Sequence, residues 1–108
     1  MLWLVLDTGH LSLLHIDFTY YISVLGHRIK ALHIHDNDTI NDCHLAPYTG
    51  NIPWATVLSA LKAAGYQGNL NFETYAQVSR PRLPAELIPE FLRHIATIGA
   101  YFLQQLQG

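Results

Sequence analysis

Four short stretches of this chain carry side chains that bind cations or move protons. Asp7-Thr8-Gly9-His10 sets a carboxylate three positions before an imidazole. His33-Ile34-His35 sets two imidazoles at spacing two, and Asp42-Cys43-His44 sets a carboxylate and an imidazole at the same spacing. Glu73 closes the run Asn69-Leu70-Asn71-Phe72. Seven histidines among 108 residues, of which only 13% are charged, is the feature that departs from ordinary composition. Carboxylates mixed with imidazoles suit a divalent ion such as Mn, Mg, Co or Zn better than a thiolate-bound structural zinc. Such an ion can grip two neighbouring oxygens of a substrate. It polarises a carbonyl, and a nearby carboxylate can then remove the adjacent C–H proton, which isomerises or epimerises a hydroxy ketone. The same donors can activate water against a phosphodiester, so these residues alone leave both chemistries open.

Each stretch also has a plainer reading. Asp7 can cap a turn with His10 opening a loop. One of His33 and His35 can be a hydrogen-bonded core residue and the other a surface one. Cys43 is a poor ligand, being a lone thiol among oxygen and nitrogen donors with no base identified by its spacing. Asp36 and Asp38 read as loop-shaping or solvated. Glu73 with a purely structural role has to meet the cost of burying a carboxylate without a cation or donor.

The elements that must position these residues follow from hydrophobic pattern. Leu2 to Leu6 is an unbroken apolar run stopped at Asp7, which reads as a strand buried on both faces, followed by a polar turn. Phe18, Tyr21, Ile22 and Leu25 fall on one helical stripe, with Asp17 as N-cap and Gly26 as the stop. Ile29 to His35 alternates as a strand, and 36–51 is a long polar loop. Pro53 suits a first helical turn before the stripe Trp54, Val57, Leu58 and Leu61, which makes Trp54 core, and Gly65 closes that helix. A compact strand ends at Glu73, Arg80-Pro81 is a breaker, and Leu87 to Leu106 lines a last helix whose start Pro89 confines to Ala85 or Glu86. The expected strands are thus about 2–7, 29–35 and 69–73, and the helices about 17–25, 53–64 and 85–106. Alternating strands and helices predict an α/β fold with parallel strands and right-handed crossovers. Sites in such sheets lie at the carboxyl ends of strands, where Asp7 with His10, His33 with His35, and Glu73 all fall. His33 and His35 share a parity, so both should face the site, and the H-x-x-D pattern with Asp36 favours His33 as the ligand.

Composition narrows the function classes. Half the residues are hydrophobic, enough to bury a core, and the length fits a single domain spanning 1–108. No apolar run approaches the ~18 residues of a membrane span. The opening run lacks the basic leader and cleavage site of a signal peptide. One cysteine excludes an internal disulfide and fits a cytoplasmic location. A net charge of -2 argues against a large phosphate-neutralising surface, and so against a nucleic-acid partner.

The ordered series LDTGH, LG-RIKALHIHDND, D-H-x-x-P-x-x-G-x-I-x-W and GY-G-L-FE, running from Leu2 to about Tyr75, resembles the xylose-isomerase-like TIM-barrel superfamily. Within it the likeness is to sugar phosphate isomerase/epimerase proteins. A full barrel has eight βα units in about 250 residues. The resemblance therefore implies the C-terminal three βα units of a (β/α)8 barrel, with the three strands as its sixth, seventh and eighth.

For the site, the resemblance implies that Asp7, His33 and Glu73 hold one divalent metal, with a further glutamate on a strand outside this chain. It implies that Glu73 also exchanges the substrate proton, and that His10 binds a substrate hydroxyl. Asp42 and His44, with His35, would contact substrate or hold a second ion. The implied substrate is a sugar or sugar phosphate. The endonuclease IV branch of the superfamily offers an alternative, a zinc phosphodiesterase acting on abasic DNA. There Asp7, His10, His33, Asp42, His44 and Glu73 match in order, although the loop is shorter and His35 stands where that branch has Asn. A third expectation is a non-catalytic remnant. With three of eight units, the chain is expected to be inactive alone and to self-associate or pair with a complementing N-terminal barrel segment.

Overall fold

The computed structural model describes residues 2–74 and 83–108. Three strands, β1 (Leu4–Asp7), β2 (Ile29–Ile34) and β3 (Asn71–Phe72), form one parallel sheet in the order β1-β2-β3. The helices are α1 (Thr8–Leu13), α2 (Phe18–Leu25), α3 (Trp54–Ala63) and α4 (Ile88–Gln107). The chain is an α/β fold of three parallel strands joined by helices.

One face of the sheet carries the core. Leu6, Leu32 and Ile34 are buried there against Trp54, Val57, Leu58 and Leu61 of α3 and Ile95, Ile98 and Phe102 of α4. These positions recur every three or four residues along each helix, so each helix turns one apolar stripe to the sheet. α3 packs against both α2 and α4. The local signals explain the boundaries. Asp17 Oδ1 accepts from the Tyr20 amide at 2.9 Å at the start of α2. Beyond α3, Gly65 takes φ +75° while its amide and that of Tyr66 bond back to Lys62 O and Leu61 O, each at 3.0 Å. That closure satisfies carbonyls the helix would leave bare, in a backbone conformation glycine enters without strain.

The structure corrects several expectations. β1 is not buried on both faces: Val5 is 52% exposed and Trp3, just before the strand, 58%. The helices cover one face of the sheet only, and an apolar run does not say how many faces are covered. Lys30 Nζ lies 4.6 Å from the centre of the Trp3 ring on this open side. The polar turn after Asp7 is a helix, α1, because Asp7 caps it by accepting from the His10 amide at 2.9 Å. β3 is two residues long, although the Glu73 amide continues its pairing to Ile34 O at 2.8 Å. β2 stops at Ile34, one residue short of the expected His35. Residues Ala85–Leu87 form a 3-10 turn, and α4 starts at Ile88 with Pro89 in its first turn, where the missing amide costs nothing. The Arg80-Pro81 breaker lies outside the described residues. Among the described residues, no helix is long and apolar enough to cross a membrane.

The loop from 36 to 51 is polar and ordered around one side chain. Asp36 is fully buried. Its Oδ1 accepts from the amides of Asn37 and Ile52, and its Oδ2 from those of Tyr48 and Gly50 and from Trp54 Nε1, at 2.8 to 3.1 Å. The Asp36 and Leu45 backbones also bond to each other in both directions. The loop-shaping reading of Asp36 therefore holds and the solvated one does not. The half-buried Asp38 shapes the loop too: hydrogen bonds from Asn41, then the Ile40 amide, hold its carboxyl below the ordinary value.

Candidate metal centre

Parallel pairing aligns Asp7 with His33 and His33 with Asn71 at the carboxyl ends of three strands. Glu73, two residues beyond Asn71, returns to the same face. Asp7, His33 and Glu73 each offer a ligand atom within 4.8 Å of the other two. His33 Nδ1 stands 3.6 Å from Glu73 Oε1 and 4.0 Å from Asp7 Oδ2. All three side chains are partly exposed, so a solvent-borne ion can reach them.

A second group lies beside the first. His10, His35, Asp42 and His44 also offer atoms within 4.8 Å of one another. His10 Nε2 is 3.1 Å from Asp42 Oδ2, and His44 Nε2 is 3.2 Å from Asp42 Oδ1. The His35 and His44 rings stack at 4.0 Å between centroids, inclined by 5°. His44 Nδ1 lies 3.1 Å from the backbone oxygen of Glu73, which ties the long loop to the end of β3. His44 holds φ at 52°, a conformation few residues other than glycine adopt, within a loop that Asp36 fixes from inside.

Asp7, a member of the first group, also touches His10 and His35 of the second. Burial pushes its carboxyl upward, yet hydrogen bonds from His35 and the His10 amide, with attraction to both imidazoles, outweigh this and leave it below the ordinary value. Its Oδ1 is 2.6 Å from His35 Nε2, and its Oδ2 is 3.2 Å from His10 Nδ1. His10 moves the other way: its bond to Asp42, aided by the charges of Asp7, Asp42 and Glu73, raises it above the ordinary value against the effect of burial.

The sequence expectation that His33 and His35 serve one face is refined. His33 meets Asp7 and Glu73, whereas His35 is completely buried between Asp7 and the second group. Cys43 joins neither group; its Sγ lies 3.3 Å from Asn41 O. Three positioning residues escaped the sequence reading. Thr8 Oγ1 donates to His35 O at 2.8 Å and accepts from the His35 amide at 3.1 Å. The buried Asn37 donates from Nδ2 to Gly9 O at 2.9 Å. A Cβ on Gly9 would lie 2.0 Å from the His35 ring, so only glycine leaves room for that imidazole. Thr8 and Gly9 lie inside the D-x-x-H tetrapeptide, and a residue inside a motif that must avoid a side chain is the signal available for them.

The donor set of the first group, two carboxylates and an imidazole, fits a hard to borderline divalent cation. The second group is richer in imidazole and fits a borderline ion such as Zn²⁺ or Co²⁺.

Comparison with known proteins bears on the whole arrangement. Residues 1–97 match the family model described as Xylose isomerase-like TIM barrel. A Sinorhizobium fredii (strain NBRC 101917 / NGR234) protein, described as Uncharacterized protein y4fM, is 38% identical over 68 residues, which are 63% of this chain and 22% of that protein. A solved structure described as a D-tagatose 3-epimerase-like protein superposes with a TM-score of 0.62 at 24% identity, covering 94% of this chain and 37% of that one. The chain therefore spans well under half of either relative. At that identity the structural likeness speaks to the fold alone. With the model matched from residue 1 to residue 97, the chain belongs to the xylose isomerase-like TIM barrel family.

Proposed function

We propose that this chain carries part of the active site of a metal-dependent isomerase or epimerase acting on a sugar or sugar phosphate. The observation that supports it most is the meeting of Asp7, His33 and Glu73 at the ends of three adjacent parallel strands. A D-tagatose 3-epimerase-like protein among its structural neighbours agrees with that class. Asp7, His33 and Glu73 would hold the ion, which supplies polarisation of a substrate carbonyl and of the oxygen beside it. Glu73 is the more exposed of the two carboxylates and takes or returns the proton on the neighbouring carbon. His10, at the rim and tied to Asp42, binds a substrate hydroxyl; Asp42 and His44 contact the substrate or hold a second ion. The activity belongs to a completed barrel, reached by self-association or with a complementing N-terminal barrel segment. Within the described residues β1 and β3 each leave one edge unpaired.

Metal content measured by elemental mass spectrometry, on protein purified without chelator or affinity tag, tests the reading. At least one Mn, Co or Zn per chain is expected, with one ion lost in Glu73→Ala. A folded, metal-free wild type that stays metal-free on dialysis against these ions refutes it. The 108-residue chain by itself is expected to show little or no ketose turnover, and robust turnover overturns that expectation.

A second reading is favoured by the compact second group, since His10, Asp42 and His44 beside the first group make a multi-ion site of the kind that activates water against a phosphodiester. Cleavage of abasic-site DNA, with no ketose proton exchange into deuterated water, selects that reading.

A further inference from the structure

The residues at the rim of the site come from two separate pieces of chain. His10 rides on α1, whereas Asp42 and His44 belong to the loop from 36 to 51. The pieces touch at the surface through His10 Nε2 and Asp42 Oδ2, 3.1 Å apart on side chains that are 55% and 43% exposed. A pair so open to solvent contributes little to holding two segments together. Nor does α1 hold itself in place, since a helix of six residues is too short to be stable without tertiary contacts. The spacing of the two pieces must be set beneath the surface.

Asn37 is completely inaccessible to solvent and reaches both pieces. Toward α1, its Nδ2 donates to Gly9 O at 2.9 Å and its Oδ1 accepts from Ser12 Oγ at 3.2 Å, so the two contacts bracket His10 in sequence. Toward the loop, Oδ1 accepts from the Thr39 amide at 2.9 Å, and the Asn37 backbone oxygen accepts from the Asn51 amide at 2.7 Å. A backbone carbonyl only accepts and a backbone amide only donates, so these partners settle which way the side-chain amide points and make Ser12 a donor. The loop contact also supports a conformation that would otherwise relax: Thr39, a β-branched residue, holds φ at 70°. Asp36 and Asn37 thus have different tasks. The carboxylate gathers the loop onto itself, and the neighbouring amide fastens the gathered loop to α1.

We propose that Asn37 is a positioning residue that sets His10 against Asp42: by tying α1 to the loop it fixes where the His10 imidazole stands at the rim, and so where a substrate oxygen bound to that imidazole lies. This purpose rests on the reading above, in which His10 binds a substrate hydroxyl. The placement itself requires no ion.

The test is proton NMR of the metal-free chain, reading nuclear Overhauser contacts among the imidazole rings. The His10 ring centre lies 5.5 Å from that of His35 and 6.2 Å from that of His44, and the His35 and His44 centres are 4.0 Å apart. Asn37→Asp keeps the acceptor contacts to Ser12 and Thr39 but sets a carboxylate oxygen against Gly9 O, where a donor is needed. In that variant the His10–His35 and His10–His44 cross-peaks should be lost while the His35–His44 cross-peak remains. Ser12→Ala, which removes one of the two holds on α1 and leaves the amide in place, should weaken the same two cross-peaks, and it decides the matter if Asn37→Asp does not fold. Unchanged His10 cross-peaks in the folded variant overturn the proposal. Loss of the His35–His44 cross-peak along with the others also overturns it, because a residue that merely supports the fold would loosen all three rings together. Metal content separates this from the reading on which its purpose rests: a wild type that takes up no ion overturns the metal-dependent reading, whereas a wild type that takes up its ion and shows unchanged cross-peaks in the variants overturns the role of Asn37 alone.

Discussion

Asp36 and the trio Asp7, Asp42 and Glu73 are all carboxylates within one turn of a strand end or in the loop that follows it, yet their neighbourhoods are opposite. Asp36 is surrounded by N–H groups, four from backbone and one from Trp54, all bound permanently into the loop. The trio faces imidazoles, which can exchange a proton for a cation. A carboxylate ringed by amides has its lone pairs committed to architecture. A carboxylate ringed by imidazoles keeps them available for a ligand. The distinction lies in the partners and not in the residue type, which is why the string HIHDND alone cannot assign it.

The contrast can be broken most directly at Asp36. Asp36→Ala should lower stability by about 3–5 kcal/mol, since five donors lose a buried charged acceptor at once, and a urea unfolding midpoint checks it. A loss under about 1 kcal/mol would mean that the loop is not organised from Asp36.

A smaller effect is expected from pH in the metal-free protein. His10 sits above its ordinary value of 6.5 because of Asp42, so its contribution is complete below pH 6.5 and fades as pH rises through its raised value. Asp7 sits below its ordinary 3.8, so its contribution is complete above that pH and fades as pH falls through its lowered value. Thermal melts should therefore show a shallow alkaline decline, which Asp42→Asn reduces to the smaller part owed to Asp7 and Glu73, and a separate acid decline that Asp42→Asn retains. An alkaline decline undiminished in Asp42→Asn would remove Asp42 as its main cause.

The smallest change in stability is expected for Glu73→Ala. Its partly exposed side chain packs into no core, and urea midpoints should place the variant within about 0.5 kcal/mol of wild type in the absence of metal. Paired with the predicted loss of an ion, that outcome separates a residue kept for ligands from one kept for the fold. A destabilisation of several kcal/mol would put Glu73 in the same class as Asp36.

Much of the fold was legible in the sequence because its signals are local. The stripes on α2, α3 and α4, the Asp17 cap and the Gly65 stop are each decided within a few residues. So was the gathering of candidate residues at strand ends, which parity and parallel order require. The open face at Val5 and the division of the histidines were not legible. Both depend on contacts between residues far apart in the chain: His35 with Asp7 and Gly9, His44 with Glu73, and Asp36 with Trp54. Helix α1 was missed because a capping aspartate and a ligand aspartate look alike, and Asp7 serves as the cap while facing the site.

The shortness of β3 has a consequence for motion. Its approach is pinned by Tyr66, whose hydroxyl donates to Asn69 O at 2.7 Å and lies where a side chain on Gly68 would have to go. Beyond that pin, two paired residues and one amide bond carry the backbone to Glu73. In an opening fluctuation this segment has the fewest ladder bonds to break, whereas β1 and β2 must part together along four aligned pairs. Local unzipping would thus move one carboxylate while the other two members of its group stayed in place.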